Sequence, residues 1–191
     1  MDLVESKDPR VIKTNRAIYA AFIKLMGEKG LEAMTIQDIL DEALVNRKTF
    51  YKYYRDKYDL AERVGRAYLH EFDGIVERRL GEDLRGQQAM EQVAGIYREL
   101  YDRKDEIRVI WRIRTERLDV RAEMQKKLQR IYLQLAEDCG AQGDTAFQAN
   151  MFSTLVLSSY EHIMENDEPF EAHKLIKEYR NLCEVLEKSA G

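Results

Sequence analysis

A short basic and aromatic stretch, residues 44–57, carries the side chains whose types and spacing suggest a chemical role. It reads LVNRKTFYKYYRDK and has five basic residues and one acidic residue, a local charge of +4. The whole 191-residue chain has a formal charge of −4. Cation–phosphate contacts supply most of the non-specific affinity of proteins for nucleic acids. The patch therefore indicates a polyanion site, although on charge alone a solvated basic helix is an equal alternative.

The first of two predicted short helices precedes this patch. Thr35 can cap it, and Asp38, three residues later, completes a capping box. Its apolar residues recur at the spacing of one buried helical face. They are Ile36, Ile39, Leu40 and Ala43.

The second predicted helix carries the basic residues themselves. Residues 44–45 form a tight turn, and Asn46 can cap a helix that begins at Arg47. Phe50 and Tyr54 lie four positions apart and are expected to face the core. The side chains left toward solvent are Arg47, Lys48, Thr49, Lys52 and Tyr53.

These residues together resemble the helix-turn-helix signature of the tetracycline-repressor (TetR) family. That signature runs roughly T-x-x-x-I-A-x-x-A-G-V-S-x-x-T-x-Y-x-Y-F-x-x-K-x-x-L, and the matching residues run from Thr35 to Leu60 within a resemblance that covers about residues 10–65. Leu44 replaces the turn glycine, and Leu40 replaces a small alanine. A bulky residue at positive φ is strained, so we expect Leu44 at negative φ and slightly wider helix packing.

The resemblance implies two kinds of DNA contact, carried over by position. Side chains implied to face base edges or adjacent phosphates in the major groove are Gln37, Arg47, Lys48 and Thr49. Side chains implied to hold the DNA backbone are Thr35, Tyr51, Lys52, Tyr53 and Lys57. Arginine or lysine to guanine and glutamine to adenine are the expected base contacts.

The chain as a whole reads as an all-α protein of about nine helices, because strand-like alternation is nearly absent. We expect a helix-turn-helix DNA-binding domain over residues 1–56 and an effector-binding and dimerisation domain over residues 57–191. A lever helix over residues 57–80 would connect them. The other predicted helices cover 9–29, 87–103, 107–114, 119–140, 144–165 and 169–188, with stops at Gly30, Gly81 and Gly86.

The expected cellular location rests on two kinds of segment, a membrane span and a secretory signal. No apolar stretch is long enough to span a bilayer, and no apolar signal core stands at the N-terminus. We therefore expect a cytoplasmic protein with no membrane partner. Cys139 and Cys183 are expected to be free thiols, buried or half-buried.

The helix predicted over residues 144–165 is apolar on more than one side and needs cover on two sides. A second subunit is one such cover, and burial at the centre of a monomer is the alternative. TetR-like proteins pair their last two helices with those of a twin, and such a two-fold dimer places two recognition helices in successive major grooves. The implied interface residues are Leu155, Ser158, Ser159, His162, Tyr179, Leu182 and Leu186.

A small-molecule effector pocket is a further implication of the resemblance. Its candidate lining consists of large or adaptable side chains on neighbouring helices of the domain over residues 57–191, which we call the body. Ordinary core packing is the alternative for each. These side chains are Tyr97, Tyr101, Trp111, Met124, Tyr132 and Met151.

Catalytic signals are weak throughout. None of the three histidines follows a glutamate by three residues, and no phosphate loop, nucleophile elbow or zinc cysteine pair occurs. We expect no enzyme activity, metal or cofactor. The expectation is a homodimeric, effector-responsive repressor that binds a two-fold-symmetric DNA operator. The alternatives are a TetR-like co-regulator that binds a protein or small molecule without DNA, and a helical ligand-binding protein or enzyme.

Overall fold

The computed structural model describes residues 6–80, 95–166 and 172–189. Nine helical segments and no strand lie in these ranges, which confirms the all-α class. Residues 95–101 form one of them. The others are α1 (Pro9–Ala33), α2 (Ile36–Ala43), α3 (Arg47–Tyr53), α4 (Lys57–Leu80), α5 (Lys104–Ile110), α6 (Val120–Asp138), α7 (Thr145–Asn166) and α8 (Ala172–Ser189).

Helix α1 begins as its sequence predicts but ends later. The Asp8 side chain accepts the Arg10 backbone N–H at 2.8 Å, and proline occupies the first turn. Gly30 adopts φ 75° and ψ 170°, a conformation that interrupts the helix at the predicted stop. A short helical turn follows as far as Ala33, and it buries Leu31.

The caps of the next two helices are those predicted. The Asp38 backbone N–H donates to Thr35 Oγ1 at 3.1 Å, and the Thr35 backbone N–H donates to Asp38 Oδ2 at 2.9 Å. This is a complete capping box. The Thr49 backbone N–H donates to Asn46 Oδ1 at 2.8 Å and so caps α3. The hydrogen bonds from Lys29 and Thr35 lower the pKa of Asp38 to about 2.

The expectation that Leu44 sits at negative φ is wrong. Leu44 lies in the left-handed region, at φ 55° and ψ 40°. The Leu44 N–H makes the last helical hydrogen bond, to the Leu40 carbonyl, and the left-handed conformation brings a second donor, the Val45 N–H, to the same carbonyl at 3.1 Å. The Leu44 side chain is 91% exposed, so it blocks nothing. The hydrogen bonds that close the turn outweigh the steric cost of a Cβ there.

The chain forms two compact units. The first combines Met1–Asp73 with Asp105–Lys127, and the second combines Gly74–Lys104 with Leu128–Gly191. Helix α4 therefore contributes its first part to one unit and its last turns to the other. The boundary predicted after residue 56 separates a DNA-binding domain from an effector-binding domain, whereas the two units are defined by packing. The predicted boundary therefore stays a prediction.

Within the first unit, the segment after residue 104 packs closely on α4. A Cβ at Gly65 would lie 2.7 Å from one side-chain atom of Leu118 and 2.7 Å from one of Val120, so any larger residue would have to displace these side chains. The Trp111 indole N–H donates to the Tyr68 hydroxyl at 2.9 Å, and both residues are buried. The first part of α4 is therefore held in the same core as the helix-turn-helix.

Several other boundaries and environments differ from expectation. The helix predicted over 107–114 is α5, which ends at Ile110. Gly81, Gly86, Pro169 and part of the helix predicted over 87–103 lie outside the described residues. Both cysteines are free as predicted but exposed, so their expected burial is wrong. Cys139 follows the polar end of α6, and Cys183 lies on an exposed face of α8. No helix in the described parts of the chain is long and apolar enough to cross a membrane.

Candidate nucleic-acid interface

Helix α3 has one buried face and one exposed face. Phe50 is fully buried, and Tyr54, which caps the end of the helix, is 1% exposed. Thr49 and Tyr53 are half-buried. Burial of Phe50 and Tyr54 is therefore confirmed, whereas Thr49 and Tyr53, which were predicted to face solvent, are only partly exposed. The exposed side chains of the helix are Arg47, Lys48, Tyr51 and Lys52.

A buried hydrogen bond anchors the end of α3. The Tyr54 hydroxyl donates to Asn15 Oδ1 on α1 at 2.6 Å, and the Asn15 side-chain N–H donates to the Val11 carbonyl at 2.9 Å. Burial raises the pKa of Tyr54 to about 12. The Arg63 guanidinium lies 5.5 Å from the centre of the Tyr54 ring. These contacts fix the end of α3 on α1 and α4.

Sequence reasoning missed Asn15. Its signal is a polar residue within the apolar stripe of α1, four positions after Val11 and three before Ile18. A buried amide of this kind needs a hydrogen-bond partner. Tyr54 supplies one, with a hydroxyl where the family signature has phenylalanine.

Lys57, predicted to contact the DNA backbone, is engaged inside the protein. Its Nζ donates to the carbonyls of Glu32 at 2.8 Å and of Met34 at 2.9 Å. An ammonium group has three N–H donors, so one remains for a phosphate. These contacts satisfy carbonyls near the end of α1, and the role of Lys57 in DNA binding stays a prediction.

Two predicted base-facing residues meet across the turn. Arg47 Nη2 donates to Gln37 Oε1 at 3.2 Å, and Gln37 Nε2 donates to Asp41 Oδ1 at 2.8 Å. Lys48 and Lys52 have no ion-pair partner within the described residues, and Lys52 Nζ lies 5.3 Å from the centre of the Tyr53 ring. The exposed face of α3 therefore keeps a positive charge that the described residues do not neutralise. Such a surface can bind phosphates.

The six predicted pocket residues are divided between the two units. Trp111 and Met124 are buried in the first unit. In the second, Tyr97 is buried against Tyr160, with ring centres 5.7 Å apart. Tyr101 is half-buried, Tyr132 packs on Phe152 with its hydroxyl donating to Gln148 at 2.8 Å, and Met151 is 48% exposed.

A cavity of about 680 Å³ lies in the first unit. It has both acidic and basic lining groups, and the Thr115 hydroxyl donates to Glu62 Oε1 there at 3.1 Å. None of the six predicted pocket residues lines it. Its lining residues are Glu32, Arg55, Asp56, Tyr58, Asp59, Glu62, Arg114, Thr115, Glu116 and Arg117.

The predicted dimer residues lie on α7 and α8. The two helices are joined by a 2.7 Å hydrogen bond between the hydroxyls of Ser159 and Tyr179, and burial raises the pKa of Tyr179. Leu155 is half-buried, whereas Ser158 and His162 are exposed. The side chain of Leu186 lies outside the described residues. Apolar side chains with large exposed fractions are Phe147 (60%), Met151 (48%), Leu182 (49%) and Val185 (63%).

Comparison with known families identifies the N-terminal domain. Residues 18–64 match the family model of bacterial regulatory proteins of the tetR family. Residues 18–64 are therefore a TetR-type N-terminal domain. The match contains the capped α2–turn–α3 unit and the start of α4, so it confirms the family that the sequence resembles. No curated protein matches the chain.

Solved structures extend the likeness to the TetR fold as a whole. A protein described as a candidate fatty acid metabolism regulator of Clostridium perfringens aligns with a TM-score of 0.67 at 19% identity, over 85% of this chain and 94% of that one. An ArpA-like γ-butyrolactone receptor aligns at 0.60 and 16%, over 90% and 100%. TylP, a TetR regulator from Streptomyces fradiae, aligns at 0.54 and 24%, over 93% and 86%.

Proposed function

We propose that this protein is a homodimeric, effector-responsive transcriptional repressor that binds a two-fold-symmetric DNA operator. The observation that carries the proposal is the exposed positive face of α3. This helix is capped at its N-terminus, and its opposite face is buried in the protein core. Arg47, Lys48 and Lys52 are exposed on that face. Phe50 and Tyr54 pack it into the predicted helix-turn-helix domain over residues 1–56, which we call the head. A short helix with this division fits the major groove of a duplex. We place the protein in the cytoplasm, with its DNA.

The second subunit is proposed from the exposed apolar residues of α7 and α8. Phe147 and Met151 lie four positions apart on α7, and Leu182 and Val185 lie three apart on α8. Each spacing places the two residues on one helical face. A twin subunit would remove these faces from water, and its two-fold axis would give the operator its symmetry.

A small-molecule effector is proposed by analogy with a structural relative that is named as a γ-butyrolactone receptor. The six predicted pocket residues belong to two different units, so only three of the second unit, Tyr97, Tyr101 and Tyr132, are proposed together as its lining. An effector acts by binding one form of the dimer more tightly than the other, and it shifts the equilibrium only by that difference in affinity. The form that the effector favours would misalign the two heads on the operator. We propose no catalytic role for this chain.

The test of DNA binding is selection of bound sequences from random duplexes, followed by titration of the best duplex over a range of salt concentrations. Lys52→Ala should weaken binding to all sequences and reduce the slope of log K against log salt by about one unit. Lys126→Ala is the matched control, because Lys126 is an exposed lysine of α6 that pairs with Glu123. Its slope should equal that of the wild type. Absence of any duplex binding at low salt would refute the proposal and favour the DNA-independent co-regulator.

A further inference from the structure

Gln37 uses both ends of its side-chain amide within the protein. Its Oε1 accepts a hydrogen bond from Arg47 Nη2 at 3.2 Å, and its Nε2 donates to Asp41 Oδ1 at 2.8 Å. Arg47 belongs to α3, whereas Gln37 and Asp41 are four apart on α2. The amide therefore links the recognition helix to the helix before it.

The orientation of this amide is dictated by its neighbours. A guanidinium is only a donor, and an ionised carboxylate is only an acceptor. Turning the amide around would set N–H against N–H at Arg47 and oxygen against oxygen at Asp41. Only the observed orientation makes both hydrogen bonds, and each of them involves a charged group, which strengthens it.

This arrangement conflicts with the contact that glutamine makes when it reads adenine. A glutamine pairs with adenine by accepting from N6 and donating to N7, so it needs both ends of the amide. Gln37 could do so only after leaving Arg47 and Asp41. Arg47, unlike Gln37, keeps free hydrogen-bond donors, because a guanidinium has five N–H groups. One bond to Gln37 leaves a two-donor edge for the O6 and N7 acceptors of guanine.

We propose that Arg47 reads a guanine in each operator half-site and that Gln37, held by Asp41, positions Arg47 rather than reading a base itself. The inference rests on the proposed DNA binding. Asp41, Gln37 and Arg47 form a chain in which the carboxylate polarises the amide and the amide oxygen orients the guanidinium. Exclusion of water in the groove strengthens such a chain.

The first experiment measures preference at each base pair for the wild type and three variants, by selection and by competition on single-substituted duplexes. Arg47→Ala should lose about 5- to 150-fold of guanine preference at one base pair per half-site, the range of a bidentate contact. Gln37→Ala and Asp41→Ala should each reduce preference at that same base pair, by about 2- to 12-fold for a lost hydrogen bond. In the Arg47→Ala background, Gln37→Ala should have no further effect there.

Two controls separate positioning from general effects. Glu42→Ala removes a neighbouring acid of α2, which pairs with Lys24 at 2.7 Å rather than with Gln37. It changes the local charge as Asp41→Ala does, and it should leave the guanine preference intact. Gln37→Glu keeps an acceptor for Arg47 but cannot donate to adenine N7. It also sets oxygen against oxygen at Asp41, so it should keep more of the guanine preference than Gln37→Ala does but less than the wild type, and it should lower affinity for all duplexes.

The outcomes distinguish this inference from the proposed function beneath it. If the wild type selects a sequence and Gln37→Ala relaxes a base pair other than that of Arg47→Ala, Gln37 reads a base and the inference is wrong. If Gln37→Ala leaves every base preference unchanged, the positioning role is likewise refuted. If the wild type binds no duplex, both proposals fail. Replacing the guanine by 7-deazaguanine, which lacks N7, should weaken the wild type but not Arg47→Ala.

Discussion

Two exposed leucines, one in the head and one in the body, differ in the residues that surround them. Leu44, in the turn of the head, is 91% exposed, and Leu182, on α8, is 49% exposed. Leu44 stands between a helix end and a polar cap, with the half-buried Val45 beside it. Leu182 shares a helical face with Val185, which is 63% exposed. Exposed fraction alone would rank Leu44 as the stronger sign of a missing partner.

The residues around each leucine instead make Leu182 the stronger sign of a missing partner. A single exposed apolar side chain is ordinary on a soluble protein, whereas apolar residues repeated along one face indicate a surface that another molecule covers. The surface of the head is charged, and water stabilises it without a partner. We therefore expect substitutions at exposed positions to matter little for folding in the head and much for assembly in the body.

The largest effect is expected from introducing charge on the apolar face of α8. The double substitution Leu182→Glu with Val185→Glu should dissociate the proposed dimer, because it would place four carboxylates in an apolar interface. Loss of the second head should weaken binding to a two-half-site duplex by about 10²- to 10⁴-fold, the usual gain from linking two sites. Sedimentation and duplex titration measure the two effects.

The control for this pair is Arg180→Glu, an exposed position on the same helix about 140–160° around its axis from the substituted residues, at the 3.6-residue period. It should leave assembly and operator affinity within a few-fold of the wild type. A Leu182→Glu, Val185→Glu protein that sediments like the wild type would show that this face is not the interface, and the contrast between the two leucines would lose its meaning.

An intermediate effect is expected at the buried anchor of the head. Tyr54→Phe removes the hydroxyl that donates to Asn15 Oδ1 at 2.6 Å and leaves the buried amide oxygen without that donor. Unfolding in urea should show a loss of about 1–3 kcal/mol. Asn15→Leu combined with Tyr54→Phe should recover part of this loss, because it removes both polar partners. A loss at Tyr54→Phe no larger than at exposed Tyr51→Phe would contradict the anchoring role.

The same tyrosine has a signature at high pH. Burial raises the pKa of Tyr54 from 10 to about 12, so the neutral hydroxyl is favoured in the folded state. Its contribution to stability is fully present below pH 10 and is lost as the pH rises toward 12. The difference in unfolding free energy between wild type and Tyr54→Phe should therefore shrink across this window. A difference that stays constant from pH 9 to pH 12 would mean that Tyr54 ionises as easily in the fold as outside it.

The smallest effect, and one of opposite sign, is expected at Leu44. A left-handed conformation costs a residue with a Cβ about 1–2 kcal/mol, and glycine avoids that cost but gives back about 0.4–1 kcal/mol of unfolded-chain entropy. Leu44→Gly should therefore stabilise the head by up to about 1.5 kcal/mol in thermal unfolding. Leu44→Ala keeps the Cβ, so it should not stabilise. If the two variants melt together, the turn is not strained.

Much of the head could be predicted from the sequence because its signals are local. The caps Thr35 and Asn46 act on backbone groups three residues away, and the four-residue spacing of Phe50 and Tyr54 directs both side chains to one face. Local hydrogen bonds and helical periodicity determine such features. They therefore also determined the all-α class and the family resemblance.

Other features depended on tertiary contacts. The partners of Asn15, Lys57 and Gln37 lie 39, 25 and 10 positions away in the chain, and the left-handed Leu44 follows from closing α2 onto the Leu40 carbonyl. Periodicity identifies which face of a helix is buried, but it does not identify the group that faces a particular polar atom. The sequence by itself determined that Arg47, Lys48 and Lys52 on α3 face water. Only the fold decided which of them are already engaged, because hydrogen bonds between distant residues form once the helices have packed.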